Sequence, residues 1–229
     1  DADLDSVELE ILRNQLESVA EEMGQVLIRG AYSPNIKERR DCSTALFDAE
    51  GRLVAQAEHI PVHLGAMPAA VDAVLERDPE PGDLFALNDP FEGGTHLPDV
   101  TLVSPITYEG SIVAYAASRA HHADVGGMTP GSMPAGARDI QQEGALVPAN
   151  VRNPRERRAD LRAQRAAHDR GAERVHELLG EHSDRLLAAF EAVREYSRER
   201  VEAELAGIPD GEYAASDVME GDGVTDADI

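Results

Sequence analysis

The chain opens on a helical period. Leu12, Leu16, Val19, Met23 and Leu27 recur at steps of three and four, which puts them on one face of one helix. Asp5-Ser6-Val7-Glu8 supplies a cap with an acid three residues on, so the helix is expected to begin there and to reach about Gly30. Residues 31–40 read as a connector in which Pro34 ends any helix. From residue 42 the period drops to two. Thr44-Ala45-Leu46-Phe47 and Leu53-Val54-Ala55 flank Asp48-Ala49-Glu50-Gly51, the composition of a hairpin turn. Residues 67–75 form a second helical stretch, stopped by Pro79 and Pro81. Residues 83–87 read as a strand, and residues 100–106 and 111–118 as a strand pair across the Glu109-Gly110 turn. Residues 140–147 have the pattern of one more short strand.

After Pro154 the character changes. Residues 159–179 and 183–205 are charged, alanine-rich helical segments with Gly180 between them. Val175, Leu178, Leu179, Leu186, Phe190, Val193 and Val201 mark their apolar faces. Pro209-Asp210-Gly211 is a turn leading into a further strand. The predicted fold class is α+β. A mixed-sheet domain with an N-terminal helix covers residues 1–154, a helical hairpin covers 155–208, and 209–229 begin a further strand region. The chain is expected to be the front part of a longer polypeptide. No period of repeat or solenoid type is present.

With 42% hydrophobic residues among 229, the chain can bury a core. The charge changes the picture more. Forty-four acidic against 21 basic residues leave a net charge of −23. Only one of the 21 is a lysine, Lys37, so the other 20 are arginine. Such a surface repels itself unless salt screens it, and the expected host is a halophile. It excludes nucleic acid and anionic membrane as partners, since both select basic surface. Cys42 is alone and can form no internal disulfide; it is expected to be a half-buried core thiol. No apolar run approaches the roughly 18 residues of a membrane span, and no signal-peptide core is visible, so a cytoplasmic location is expected.

The chemistry-bearing residues concentrate in two Gly/Pro-rich turns at strand ends, Asn88-Asp-Pro-Phe-Glu-Gly-Gly-Thr-His-Leu-Pro-Asp99 and Arg119-Ala-His-His-Ala-Asp-Val-Gly-Gly127. Imidazole and carboxylate are the usual ligands of a divalent metal. His96 and Asp99 stand three apart across Leu97-Pro98, a turn that can aim both at one point, and His121 or His122 can add a third ligand. Two imidazoles and one carboxylate leave coordination positions open and suit iron, manganese or zinc. Asp89 and Asp124 are candidates for a general base or a partner that orients a histidine. Gly93, Gly94, Gly126 and Gly127 could let backbone amides approach a carbonyl oxygen or an anion. His59 and His63 flank Pro61 and could line the same cleft. The remaining histidines, His168, His176 and His182, fall in the charged helical part and are expected on its solvated surface. No stretch matches Gly-x4-Gly-Lys-Ser/Thr, so a nucleotide site is expected on another chain or domain.

Several blocks together resemble the hydantoinase B/oxoprolinase family. They are Ile36-Lys37-Glu38-Arg39-Arg40-Asp41, Ala45-Leu46-Phe47-Asp48, His59-Ile60-Pro61-Val62-His63-Leu64-Gly65, the Asn88 to Val100 turn, Arg119 to Pro134 with its Gly131-Ser132-Met133-Pro134 ending, and Gln142-Glu143-Gly144 followed by Pro148. The resemblance implies a metal held by His96, Asp99 and His121; beside it, the residues' own chemistry makes His122, Asp124 and Asp89 the candidate acid–base groups. Gly93, Gly94, Gly126, Gly127, His59 and His63 would then line the substrate. It implies a hetero-oligomer whose hydantoinase A-type ATPase subunit handles ATP, and a substrate of the small cyclic-amide class, hydantoin or 5-oxoproline. Two other outcomes are weighed: an alpha-type subunit of an ATP-dependent ketone carboxylase, and a scaffold that only docks the ATPase.

Overall fold

The computed structural model describes residues 4–63, 65–144 and 151–216. Helix α1 (Ser6–Gly30) starts where the Asp5 side chain accepts hydrogen bonds from the amides of Val7 and Glu8. A short helix α2 (Pro34–Lys37) occupies the connector. The hairpin strands β1 (Cys42–Asp48) and β2 (Leu53–Glu58) follow, then a single 3-10 turn at Pro61–His63 and helix α3 (Met67–Leu75). Strands β3 (Phe85–Leu87), β4 (Asp99–Tyr108) and β5 (Ser111–His121) complete one sheet in the order β2-β1-β5-β4-β3. Among the described residues every pairing is antiparallel, so this sheet is antiparallel rather than mixed.

Alternation along the strands decides which face each residue serves. Ala45, Phe47, Val103, Tyr115 and Ala117 pack with Met67, Val71 and Val74 of α3. Cys42, Leu46, Ala114, Ala116 and Ala120 point the other way, into a larger core with the buried face of α1. Cys42 is fully buried, and burial pushes its thiol up to about 12, which makes it inert.

Helix α4 (Ile140–Glu143) replaces the strand expected at 140–147. Asp139 accepts from the amide of Gln141 at 2.8 Å and so starts a helical turn; residues 145–150 lie outside the described residues. Helix α5 (Pro154–His182) begins earlier than the periodicity implied, with proline in its first turn, a position that needs no amide hydrogen. Gly180 is inside it, and the break falls at Ser183, whose φ is 49°. Helix α6 (Asp184–Leu205) follows. Ala163, Ala167, Val175, Leu178 and Leu179 of α5 join α1 in the larger core, as do Leu186, Ala189 and Phe190. The described residues up to Glu195 form one compact unit, and those from Tyr196 on belong to a second. No strand occurs over 209–216, and 217–229 lie outside the described residues.

His168 corrects the expectation of a solvated histidine. It is 3% exposed, between Ser104 and Ser118 of the sheet.

Candidate metal centre

Register assembles the site. β1 pairs with β5, and β5 with β4, so the three strands run side by side. Asp99 stands opposite His121 in the β4–β5 register, and the His121 amide donates to the Asp41 carbonyl just before β1. Asp41, His121 and Asp99 thus form a row across one end of the sheet, on the face that α3 covers. His96 arrives from the turn before β4, and His63 from the 3-10 turn before α3.

His96, Asp99 and His121 each offer a ligand atom, and these atoms lie within 4.8 Å of one another. His96 Nδ1 is 3.0 Å from Asp99 Oδ2, and His121 Nδ1 is 3.5 Å from Asp99 Oδ1. The two imidazole rings tilt toward each other, with centroids 5.0 Å apart. His121 Nδ1 is also 3.8 Å from Asp41 Oδ2. His63 Nε2 lies 3.8 Å from Asp41 Oδ1 and 3.8 Å from Asp99 Oδ2. With metal–ligand bonds of about 2.1 Å, neighbouring ligand atoms of a coordination shell sit roughly 3.0–3.5 Å apart. The cluster is close to that spacing.

Among the described residues, two buried atoms in it have no hydrogen-bond partner, Asp99 Oδ1 and His63 Nε2. Orphaned polar atoms inside a protein are rare and call for an unseen partner. A nitrogen–oxygen donor set with an orphaned carboxylate oxygen fits a divalent cation of the zinc, manganese or iron class.

The electrostatics agree. Burial alone would raise the Asp99 carboxyl, but the imidazoles of His121, His63 and His96 and the Thr95 hydroxyl outweigh it and hold the pKa well below the usual carboxylate range. Thr95 Oγ1 donates to Asp99 Oδ2 at 2.6 Å. The Asp99 contact in turn raises the pKa of His96. Behind the row, Arg119 is fully buried, donating from Nε to Thr101 Oγ1 and from Nη2 to the Gly93 carbonyl. Burial lowers its pKa, and the Asp99 charge works against that. The cluster opens to solvent on one side, where the His96 side chain is 38% exposed against 5% for Asp99.

The other candidates have different positions. His122 points to the opposite face, its Nε2 2.9 Å from Gln164 Oε1 of α5, beside a cavity of about 80 Å³ lined also by Val100, Arg157 and Leu161. Burial lowers its pKa, so the ring is neutral. Asp124 is spent on the loop that follows it. Its oxygens accept from the amides of Gly126, Gly131 and Arg152 and from Arg152 Nη1. Asp89 caps the Phe91 amide and is a turn residue.

The glycines answer to backbone crowding. A Cβ on Gly93, at φ +81°, would meet the Ala69 carbonyl at 2.6 Å, and one on Gly127 would meet the Glu143 carbonyl at 2.3 Å. On Gly94 a Cβ would meet the Asp89 carbonyl at 2.5 Å. Gly126 also has a positive φ, of 96°. His59 lies against Gly24 of α1, where a Cβ would come within 2.3 Å of its Nε2.

Sequence reasoning did not single out Asp41 or Arg119 as site residues. Their place depends on β1 pairing with β5, across intervening chain. The one local signal was that Asp41 immediately precedes a strand that begins at Cys42.

Fold and site together define an α+β chain that gathers three imidazoles and two carboxylates at one end of an antiparallel sheet. The chain belongs to the Hydantoinase B/oxoprolinase family, whose profile matches residues 5–149 and 145–229. An uncharacterised protein of Methanocaldococcus jannaschii is 37% identical over 90% of this chain and 41% of its own length. The Arabidopsis thaliana protein 5-oxoprolinase 1 is 48% identical over 63% of this chain and 12% of its own. The crystal structure of the ATP-dependent caprolactamase from Pseudomonas jessenii superposes with a TM-score of 0.86 at 26% identity, covering 95% of this chain and 42% of that one. The chain thus spans well under half the length of these relatives.

Proposed function

We propose that this chain carries the metal-assisted step of an ATP-dependent cyclic-amide hydrolase, and that an ATPase partner subunit or domain consumes the ATP. The observation that carries the reading is the cluster of His96, Asp99 and His121 around an orphaned carboxylate oxygen. Two relatives support the substrate class, since 5-oxoproline and caprolactam are both lactams. The lack of a P-loop in this sequence supports placing ATP on the partner.

His96, Asp99 and His121 would hold the cation, with Asp41 within reach as a fourth donor. A divalent ion there would supply Lewis-acid polarisation of the amide carbonyl and a lowered pKa for water. The chain's own groups prepare that position. Asp99 is kept ionised at neutral pH by the imidazoles and the Thr95 hydroxyl around it. Arg119 backs the row of carboxylates with a buried positive charge and ties the His96 turn down through the Gly93 carbonyl. The exposed edge of His96 leaves the side from which a small cyclic substrate can enter.

The test is turnover by the full-length protein with its ATPase partner. ADP release should depend on 5-oxoproline or a hydantoin, and ring-opened product should appear with it. Asp99→Asn and His96→Ala should lose bound metal and turnover while still binding the partner. Full turnover by a metal-free preparation would overturn the reading. Incorporation of bicarbonate into a ketone, with no lactam hydrolysis, would replace it with the carboxylase alternative.

A further inference from the structure

The side chain left unexplained at this site is His63. It is 1% exposed, and its Nδ1 lies 3.0 Å from the hydroxyl of Ser43, which is itself fully buried on β1. Its Nε2 has no hydrogen-bond partner, yet stands equally far, 3.8 Å, from Asp41 Oδ1 and Asp99 Oδ2. The two carboxylates are arranged alike about it. Each turns one oxygen toward His63 and the other toward His121.

The proton positions follow from donor and acceptor chemistry. An ionised carboxylate only accepts, so a bare Nε2 facing two of them would set three acceptors against one another. Nε2 therefore carries the hydrogen, and Nδ1 is held by its hydrogen bond with the Ser43 hydroxyl. Ser43 in turn is anchored in the paired β1–β5 ladder opposite Arg119.

We infer that His63, held by Ser43, is a positioning residue that keeps the Asp41 and Asp99 carboxylates apart and aimed at the cation site, through the single N–H it presents between them. This rests on the metal-centre reading above. His63 serves the carboxylates rather than the cation or the substrate. Oriented carboxylates bind metal more tightly because less must be ordered when the ion arrives.

Two isosteres separate the halves of the ring. In His63→Gln the amide nitrogen can take the place of Nε2 and keep the donor between the carboxylates. In His63→Asn the side chain can reach Ser43 but cannot reach the carboxylates. Metal affinity of the intact protein would be measured by chelator competition with zinc, and the geometry by the visible absorption of the cobalt-substituted protein. His63→Asn should weaken binding by about 10–100-fold, the usual loss when an orienting partner of a metal ligand is removed. It should also shift the cobalt spectrum. His63→Gln should restore affinity to within roughly threefold of wild type, a small part of that loss. Ser43→Ala should fall between, because the ring can then rotate.

Tight zinc in the wild type with unchanged affinity and spectrum in His63→Asn would overturn the assignment of His63 alone. So would equal losses in the Gln and Asn variants with unchanged thermal stability, which would make the whole imidazole a ligand. No stoichiometric zinc or cobalt in the wild type would overturn the metal centre itself.

Discussion

The imidazole of His168 bridges two strands, with Nδ1 2.7 Å from Ser104 Oγ and Nε2 2.9 Å from Ser118 Oγ. No carboxylate among the described residues compensates it, and burial lowers its pKa from 6.5 to about 3. The folded protein therefore keeps the ring neutral where the unfolded chain would protonate it. That contribution is fully present above the unfolded value and is lost as pH falls from about 6.5 toward 3, with a slope of at most ~1.4 kcal/mol per pH unit. Denaturant titrations at pH 7 and pH 5 should show wild type losing about 2 kcal/mol more than His168→Gln across that interval. Parallel losses would mean that His168 is protonated in the folded state. The same residue shows what a sequence conceals at this scale. His168 sits among Gln164, Ala167 and Asp169, and nothing local distinguishes it from a solvated surface histidine. His96 and Asp99 were legible because proline and glycine fix their turn, so spacing translates into geometry. His63 was legible only as a histidine near the site, because its partners Ser43, Asp41 and Asp99 come from distant segments.

Among the elements, α1 and α3 match their hydrophobic periods at both ends, since each buries an apolar stripe against one sheet face. Helix α5 does not, and the reason is chemical. Its first half turns Arg157, Asp160, Gln164 and His168 inward, and hydrogen bonds satisfy several of them. Asp160 accepts from the amides of Tyr32 and Ser33, and Gln164 Nε2 donates to the Val100 carbonyl. A buried polar face has no apolar period, so pattern alone began the helix five residues late, at 159. The glycine-rich segment after β5 begins at Asp124, the candidate general base or histidine-orienting partner. Asp124 and Arg152 staple it. Arg152 donates to the carbonyls of Gly126, Gly127 and Thr129 as well as to Asp124. This distinction is measurable. Asp124→Asn keeps the shape but weakens the charged hydrogen bonds, so amide exchange over residues 125–133 should quicken while bound metal stays at the wild-type level. Charge-assisted bonds of this kind contribute about 1.5–3 kcal/mol each, so local opening should become at least tenfold more frequent. Loss of metal without faster exchange would instead support Asp124 as a partner that orients a metal-site histidine.

At the scale of the molecule, 44 acidic residues meet 21 basic ones, and no arrangement of pairs can neutralise the surplus of 23. Many arginines already lie in pairs along the helices, such as Arg170 with Glu22 and Glu173, and Arg13 with Glu10. Salt acts on both populations. It weakens the exposed pairs, each contributing only about 0–1 kcal/mol, and it relieves repulsion among the unpaired carboxylates. The second effect grows with the square of the net charge while the first grows only with the number of pairs, so at −23 relief should win. Raising KCl from about 0.01 M to about 1 M shortens the Debye length from roughly 30 Å to roughly 3 Å, less than the spacing of most surface carboxylates. Thermal melts over that range should show the midpoint climbing steadily. A variant with ten surface Glu or Asp residues outside the site changed to Gln or Asn should start higher at low salt and climb less. The pair of curves separates charge screening from general salting-out, which would lift both proteins equally. A wild-type midpoint that falls with KCl would show that the arginine–carboxylate pairs outweigh the repulsion, and the acidic surface would then be no adaptation to salt.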